Sequence, residues 1–225
     1  MTPLECLRDL ILPALEVTAV HLNSKDKEEA AVFLLAIAIQ ESALRHRKQL
    51  GNGPARGLFQ MEPGPLAMIQ LVMNKNRELR SLLPTNDPSE MWALLEYEPN
   101  DKYGVYIARA ALQTDPKPLP RLGDEEDAWN CYLKHWRPGK PRKEKWGTSY
   151  EAALGAWRSL NQREKITDSR TVQTATIGGI VVTAGQTVSY LAGMPLGFWI
   201  FLAATVSVLG AIVFFRWEDF RDKLT

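Results

Sequence analysis

Between Pro3 and Asn161 apolar residues recur with helical spacing, and no run of alternating apolar and polar positions marks a strand. A first helix is expected from Pro3 to about Val20. Asn23 or Ser24 can cap a second, running from about Asp26 to Arg47. Its middle, Ala30 to Ile39, is apolar on every side, which predicts a helix buried all round at the centre of its domain. Gly51-Asn52-Gly53-Pro54 breaks the pattern into a loop, and another helix opens near Pro63. Asp87-Pro88-Ser89-Glu90 combines a capping side chain, proline at the first helical position and a glutamate able to reach back. Further helices are expected near Asp101 to Gln113 and Asp124 to Trp136. Between them the alternating prolines of Pro116 to Pro120 enforce an extended connector. Thr148-Ser149-Tyr150-Glu151 reads as a second capping box, opening a last helix that ends near Asn161 with Trp146 and Trp157 on the core.

Beyond a linker at 162–170 the pattern changes. No charged residue occurs from Thr171 to Phe215. Met194 to Phe215, at about 1.5 Å per residue, is long enough to cross a hydrocarbon core of about 30 Å as a helix. Trp199 and Trp217 suit the two interfaces, and a charged tail follows over 216–225. The weaker segment 171–193 can form a first membrane helix of a hairpin, a surface helix or a tether. Basic residues before the tail slightly outnumber those after it, which leans the preceding domain toward the cytosolic side at synthesis. The fold class expected is therefore all-α, a helical domain over 1–161 followed by a transmembrane helix or helical hairpin.

Composition removes several functions. The net charge of +1 gives no nucleic-acid footprint, so no nucleic-acid partner is expected. Two cysteines, Cys6 and Cys131, are too few for a disulfide framework and read as free thiols. His21, His46 and His135 share no metal-ligand spacing, and neither metal nor organic cofactor is expected. Leu10-Ile11-Leu12 is short and lies among Glu5, Asp9 and Glu16, so the N-terminus is not read as a secretory signal. From Lys134 to Trp146, Lys134, Arg137, Lys140, Arg142, Lys143 and Lys145 face the single acid Glu144. That stretch fits attraction to anionic lipid or wall polymer, or, more ordinarily, a solvated loop.

Chemistry concentrates at Gln40-Glu41-Ser42, where the apolar helix ends, and at Gly57-Leu58-Phe59-Gln60-Met61. A carboxyl leaving a hydrophobic helix toward a cleft has its pKa raised by burial, and a protonated Glu41 can donate to a glycosidic oxygen. Gln60, on a glycine-led turn opposite, can meet sugar hydroxyls or an acetamido group. Ser42 offers a hydroxyl beside the acid.

These two motifs, in this order and spacing, resemble the soluble lytic transglycosylase branch of the lysozyme superfamily, related to goose-type lysozyme. Leu50 through Pro63, Ile107-Ala108-Arg109-Ala110 and Pro116 through Pro120 resemble a phage-encoded subset, and the likeness covers about Leu4 to Trp157. It implies a lysozyme-like helical domain with Glu41 catalytic and Ser42, Gln60, Tyr103 and Asn130 toward substrate. The family's third motif, Ala-Tyr-Asn-x-Gly, has its nearest counterpart in Ala128-Trp129-Asn130-Cys131-Tyr132, which lacks the central phenol and the glycine. Tyr103 could supply the missing hydroxyl, and Trp136 is another candidate for the helix position. Core packing is the plain alternative for Trp129, Trp136 and Tyr103.

The resemblance implies a single-acid route, since no second carboxylate stands at a matching motif and Glu62, beside Pro63, reads as a helix start. Glu41 would protonate the bond between N-acetylmuramic acid and N-acetylglucosamine, and the muramic 6-hydroxyl would close a 1,6-anhydro end. The alternatives are a hydrolytic muramidase and a holin-like or virion structural protein on a lysozyme-like scaffold. Implied partners are peptidoglycan glycan strands, the bacterial inner membrane, and a holin or virion component. The implied setting is the host inner membrane facing periplasmic peptidoglycan, in phage lysis or, if virion-borne, entry.

Overall fold

The computed structural model describes residues 1–22, 26–172, 176–177 and 180–181, and these are mostly helical. Two compact units divide the chain, Met1–Arg163 and Glu164–Thr225. In the first, α1 (Pro3–Glu5) starts with a closed capping box: Thr2 Oγ1 accepts from the Glu5 N–H, and the Thr2 N–H donates to Glu5. A wider π-type segment, Cys6–Ile11, leads directly into α2 (Leu12–Leu22). The residues expected to cap the next helix, Asn23 and Ser24, lie outside the described residues.

Helix α3 (Lys27–Ser42) is the central element. Every residue from Ala30 to Ala38 is buried, as an all-round apolar segment requires. It ends five residues before the expected Arg47, because Ala43 and Leu44 both adopt left-handed backbone, φ 53° and 55°. The chain then folds back beneath its own helix end. Its turn is held by Arg47, whose guanidinium makes a two-pronged ion pair with the buried Asp101 at 2.8 and 2.6 Å.

Helices α4 (Pro63–Met73), α5 (Arg77–Ser81) and α6 (Pro88–Leu94) form one side of the unit. The short α5 was not expected; Asn76 caps it by accepting from the N–H groups of Glu78 and Leu79. Asp87 caps α6 as expected, but Glu90 does not close the box: its carboxylate accepts from Thr85, whose own hydroxyl accepts from the Asp87 N–H. A 3₁₀ turn, Glu98–Asn100, leads into α7 (Asp101–Leu112), which packs along α3 and α4. Buried Arg109 on α7 pairs with Asp26 at the start of α3. After the extended prolines, α8 (Glu125–Trp136) is capped by Asp124.

The last helix, α9 (Lys143–Val172), begins five residues before the expected Thr148 and runs past the expected end near Asn161, so that 162–170 is helical. The capping-box residues are therefore interior, and Ser149 instead spends its hydroxyl on Gln40 of α3. The earlier start places Trp146 at the core, fully buried against Phe33 at 6.2 Å.

In the second unit, β1 (Thr176–Ile177) pairs antiparallel with β2 (Ile180–Val181). These residues fall in the 171–193 segment considered for a first membrane helix, and here they are extended. All four are β-branched, with Gly178-Gly179 between them in the sequence. No helix among the described residues is long and apolar enough to cross a membrane. The expected span 194–215 and charged tail 216–225 lie outside the described residues.

Candidate active site

Glu41 is the penultimate residue of α3, half-buried where the helix stops. A phenol reaches it: the Tyr132 hydroxyl, on α8, donates to Glu41 Oε1 at 2.5 Å. The Tyr132 ring stacks on Trp146 at 4.9 Å and 20° and lies 5.4 Å from Trp129, so packing on both sides fixes its direction. Burial raises the Glu41 carboxyl above the usual carboxylate range, against the opposing hydrogen bond from Tyr132 and the nearby charges of Lys145 and Arg142. Burial likewise raises the Tyr132 phenol, with the Glu41 charge adding to it, so the phenol stays a donor.

The second motif is a tight hairpin. Arg56 and Met61 exchange backbone hydrogen bonds at 2.9 and 2.8 Å, and the Gln60 N–H closes the turn onto the Gly57 carbonyl at 3.1 Å. Gly57 has φ +75°, and a Cβ there would also press on Leu95 Cβ at 3.3 Å, so glycine is required twice over. Gln60 itself is left-handed, φ 47°. Its Nε2 donates to the carbonyls of His46 (3.1 Å) and Gly57 (2.9 Å), which tethers the hairpin to the segment after α3. With the amide nitrogen engaged, the carbonyl oxygen is the end free to receive a donor. Three of the five positive-φ non-glycine residues among those described, Ala43, Leu44 and Gln60, lie in or beside these two motifs.

Helix α8 joins the two motifs. Trp136, one turn after Tyr132 and on the same face, donates its indole N–H to the Phe59 carbonyl at 3.0 Å. One helix thus contacts both Glu41 and the glycine-led turn. The hairpin's outer side is clamped by Arg56, which pairs with Glu96, lies 4.3 Å over the Trp92 ring and donates to the Gly53 carbonyl.

Two sequence-predicted residues are each tied to α8, Glu41 directly by Tyr132 and the hairpin of Gln60 through Trp136 on the Phe59 carbonyl. Ser42 is adjacent but 2% exposed, and its hydroxyl donates to the Ala38 carbonyl (2.8 Å) and accepts from the Leu44 N–H (3.2 Å), closing the helix end rather than facing a ligand. Tyr103 packs edge-on against Tyr106 at 6.3 Å, and the hydroxyl on Glu41 is that of Tyr132 instead. Asn130 is exposed on α8, two positions and therefore about 200° of helix from Tyr132, so it faces away from the acid. The phenol sits three residues beyond the position the family motif would give it. Also unforeseen were Gln40, Lys145 and Ser149, whose partners lie about a hundred residues away in sequence.

The basic stretch is divided among separate tasks. Lys134 pairs with Asp115, Lys143 with Glu126, and Lys145 lies on the end of α3. Neither thiol is poised for chemistry: burial pushes Cys6 up to about 12 and Cys131 up to about 11. Among the described residues no group of three His, Cys, Asp or Glu side chains could hold a metal ion. The chain matches no protein-family model, no curated protein and no solved structure.

Proposed function

We propose that this protein cleaves peptidoglycan glycan strands at the β-1,4 bond between N-acetylmuramic acid and N-acetylglucosamine, as a lytic transglycosylase with Glu41 as its general acid and base. The observation that carries the reading is the Glu41–Tyr132 pair: a half-buried carboxyl, raised by burial and oriented by a packed phenol. Burial favours the protonated form of Glu41, the form that delivers a proton to the glycosidic oxygen. As that bond breaks, the muramic acetamido oxygen stabilises the oxocarbenium-like carbon. Glu41, now ionised and stabilised by the Tyr132 hydroxyl, takes the proton of the muramic 6-hydroxyl as its oxygen attacks that carbon, which closes the 1,6-anhydro ring and restores the acid. Among the described residues the charges acting on Glu41 are two cations, Lys145 and Arg142, and no carboxylate, which favours one acid serving both steps over a paired-carboxylate route. The Gln60 carbonyl suits an acetamido N–H of the substrate.

In this reading the apolar run Met194 to Phe215 anchors the enzyme in the bacterial inner membrane, where it meets the wall in phage lysis or entry. The test is the mass of muropeptides released from purified sacculi by the full chain in mild detergent. A transglycosylase gives products about 18 Da lighter than hydrolysis products, because an internal hydroxyl replaces water. Reducing ends alone would make it a muramidase, and no release would leave the scaffold reading.

A further inference from the structure

The start of α9 is fastened to the last turn of α3 by a polar network that the mechanism above does not use. Gln40, 3% exposed, donates from Nε2 to the Arg142 carbonyl at 3.1 Å and accepts from Ser149 Oγ at 3.0 Å. Lys145 extends its ammonium to the carbonyls of Ile39 (3.3 Å) and Gln40 (2.5 Å). Carbonyls in the last turn of a helix lack intrahelical donors, and a cation there also meets the negative end of the helix dipole. Gln40 immediately precedes Glu41, and Lys145 is one of the charges acting on the Glu41 carboxyl.

We propose that Lys145 is a positioning residue for Glu41: through the Ile39 and Gln40 carbonyls it fixes the turn that carries the acid, and its charge sets the pH range in which the acid works. The proposal rests on Glu41 being the acid. Three groups act on that carboxyl: Tyr132 from α8, and Lys145 and Arg142 from the beginning of α9. Arg142 is exposed, and water screens it. Lys145 is partly buried and anchored, so its effect is the fixed one. A fixed cation favours the ionised form of Glu41, opposing burial. Without it, Glu41 would hold its proton to higher pH and be a poorer acid when it must give that proton to the glycosidic oxygen.

The experiment is a pH titration of the Glu41 carboxyl by NMR, in full-length protein carrying carboxyl-labelled glutamate, with the resonance assigned by its loss in Glu41→Gln. Lys145→Met and Lys145→Gln are expected to raise the midpoint by roughly half a unit to one unit, and Lys145→Arg to keep it within about 0.2 of wild type. The basic limb of turnover on sacculi should move in the same direction. Lys145→Gln retains an N–H donor for the carbonyls and decides the matter if Lys145→Met does not fold. An unmoved midpoint in a folded Lys145→Gln protein, or an equal rise in Lys145→Arg, overturns the proposal. The titration needs no turnover, so a wild-type protein that leaves sacculi intact would refute the enzymatic reading separately.

Discussion

At the scale of single residues, the carboxyl of Glu41 is held at a cost to the fold. Its folded pKa is raised by burial, so its contribution to stability is fully present below the unfolded carboxylate pKa and is lost as pH rises through the folded value. Glu41→Gln should therefore unfold at a higher temperature than wild type near neutral pH, and the gap should close in acid. Thermal melts followed by near-UV circular dichroism of the buried tryptophans will read this. Tyr132→Phe removes the hydroxyl and leaves the stacked ring. Turnover should fall about tenfold, the worth of one hydrogen bond to a charged group, while its basic limb moves up because a donor to the ionised form is gone. A pH–rate profile of the variant checks both parts. Glu41 and Gln60 stand out in the sequence because the chemistry proposed for them is written locally, in a helix end and a glycine-led turn. Tyr132 does not, because the motif position holds Trp129 and Tyr103 offers a phenol from the neighbouring helix as readily. On a helix it is the face that counts, and the signal available was the four-residue spacing between Tyr132 and Trp136.

At the scale of elements, helices that pattern and capping both supported were found close to where they were expected. The all-apolar stretch of α3 is buried from Ala30 to Ala38, and Asp87 and Asp124 cap α6 and α8. The errors have a common cause: a local signal lost to a tertiary one. Thr148 to Glu151 has the composition of a helix start, yet burial of Trp146 and the Gln40–Ser149 bond carry α9 back to Lys143. The run toward Arg47 is helical in pattern, yet the fold-back clasped by Arg47 and Asp101 turns it at Ala43. The hairpin depends on Gly57 for both its backbone sign and its clearance from Leu95. Gly57→Ala should cost about 1 kcal/mol or more and lower kcat/KM by displacing Gln60. Chemical denaturation and turnover on sacculi, measured on the same preparation, should show the two losses together.

At the scale of the whole molecule, Met1–Arg163 forms a compact unit that contains every residue of the proposed site. Among the described residues its core runs from Cys6 to Ala156. Protein ending at Arg170 should then be soluble and active on sacculi, whereas the full chain should sediment with membranes and resist carbonate extraction. An insoluble or unfolded truncation would mean that the C-terminal segment belongs to the core. The central claim, that Glu41 drives glycan cleavage, is tested most directly by comparing wild type and Glu41→Gln for soluble muropeptide release from purified sacculi at equal concentration. Loss of the transferable proton is expected to cut release by at least about a hundredfold with the helical circular dichroism unchanged. Release within a few-fold of wild type would contradict the account.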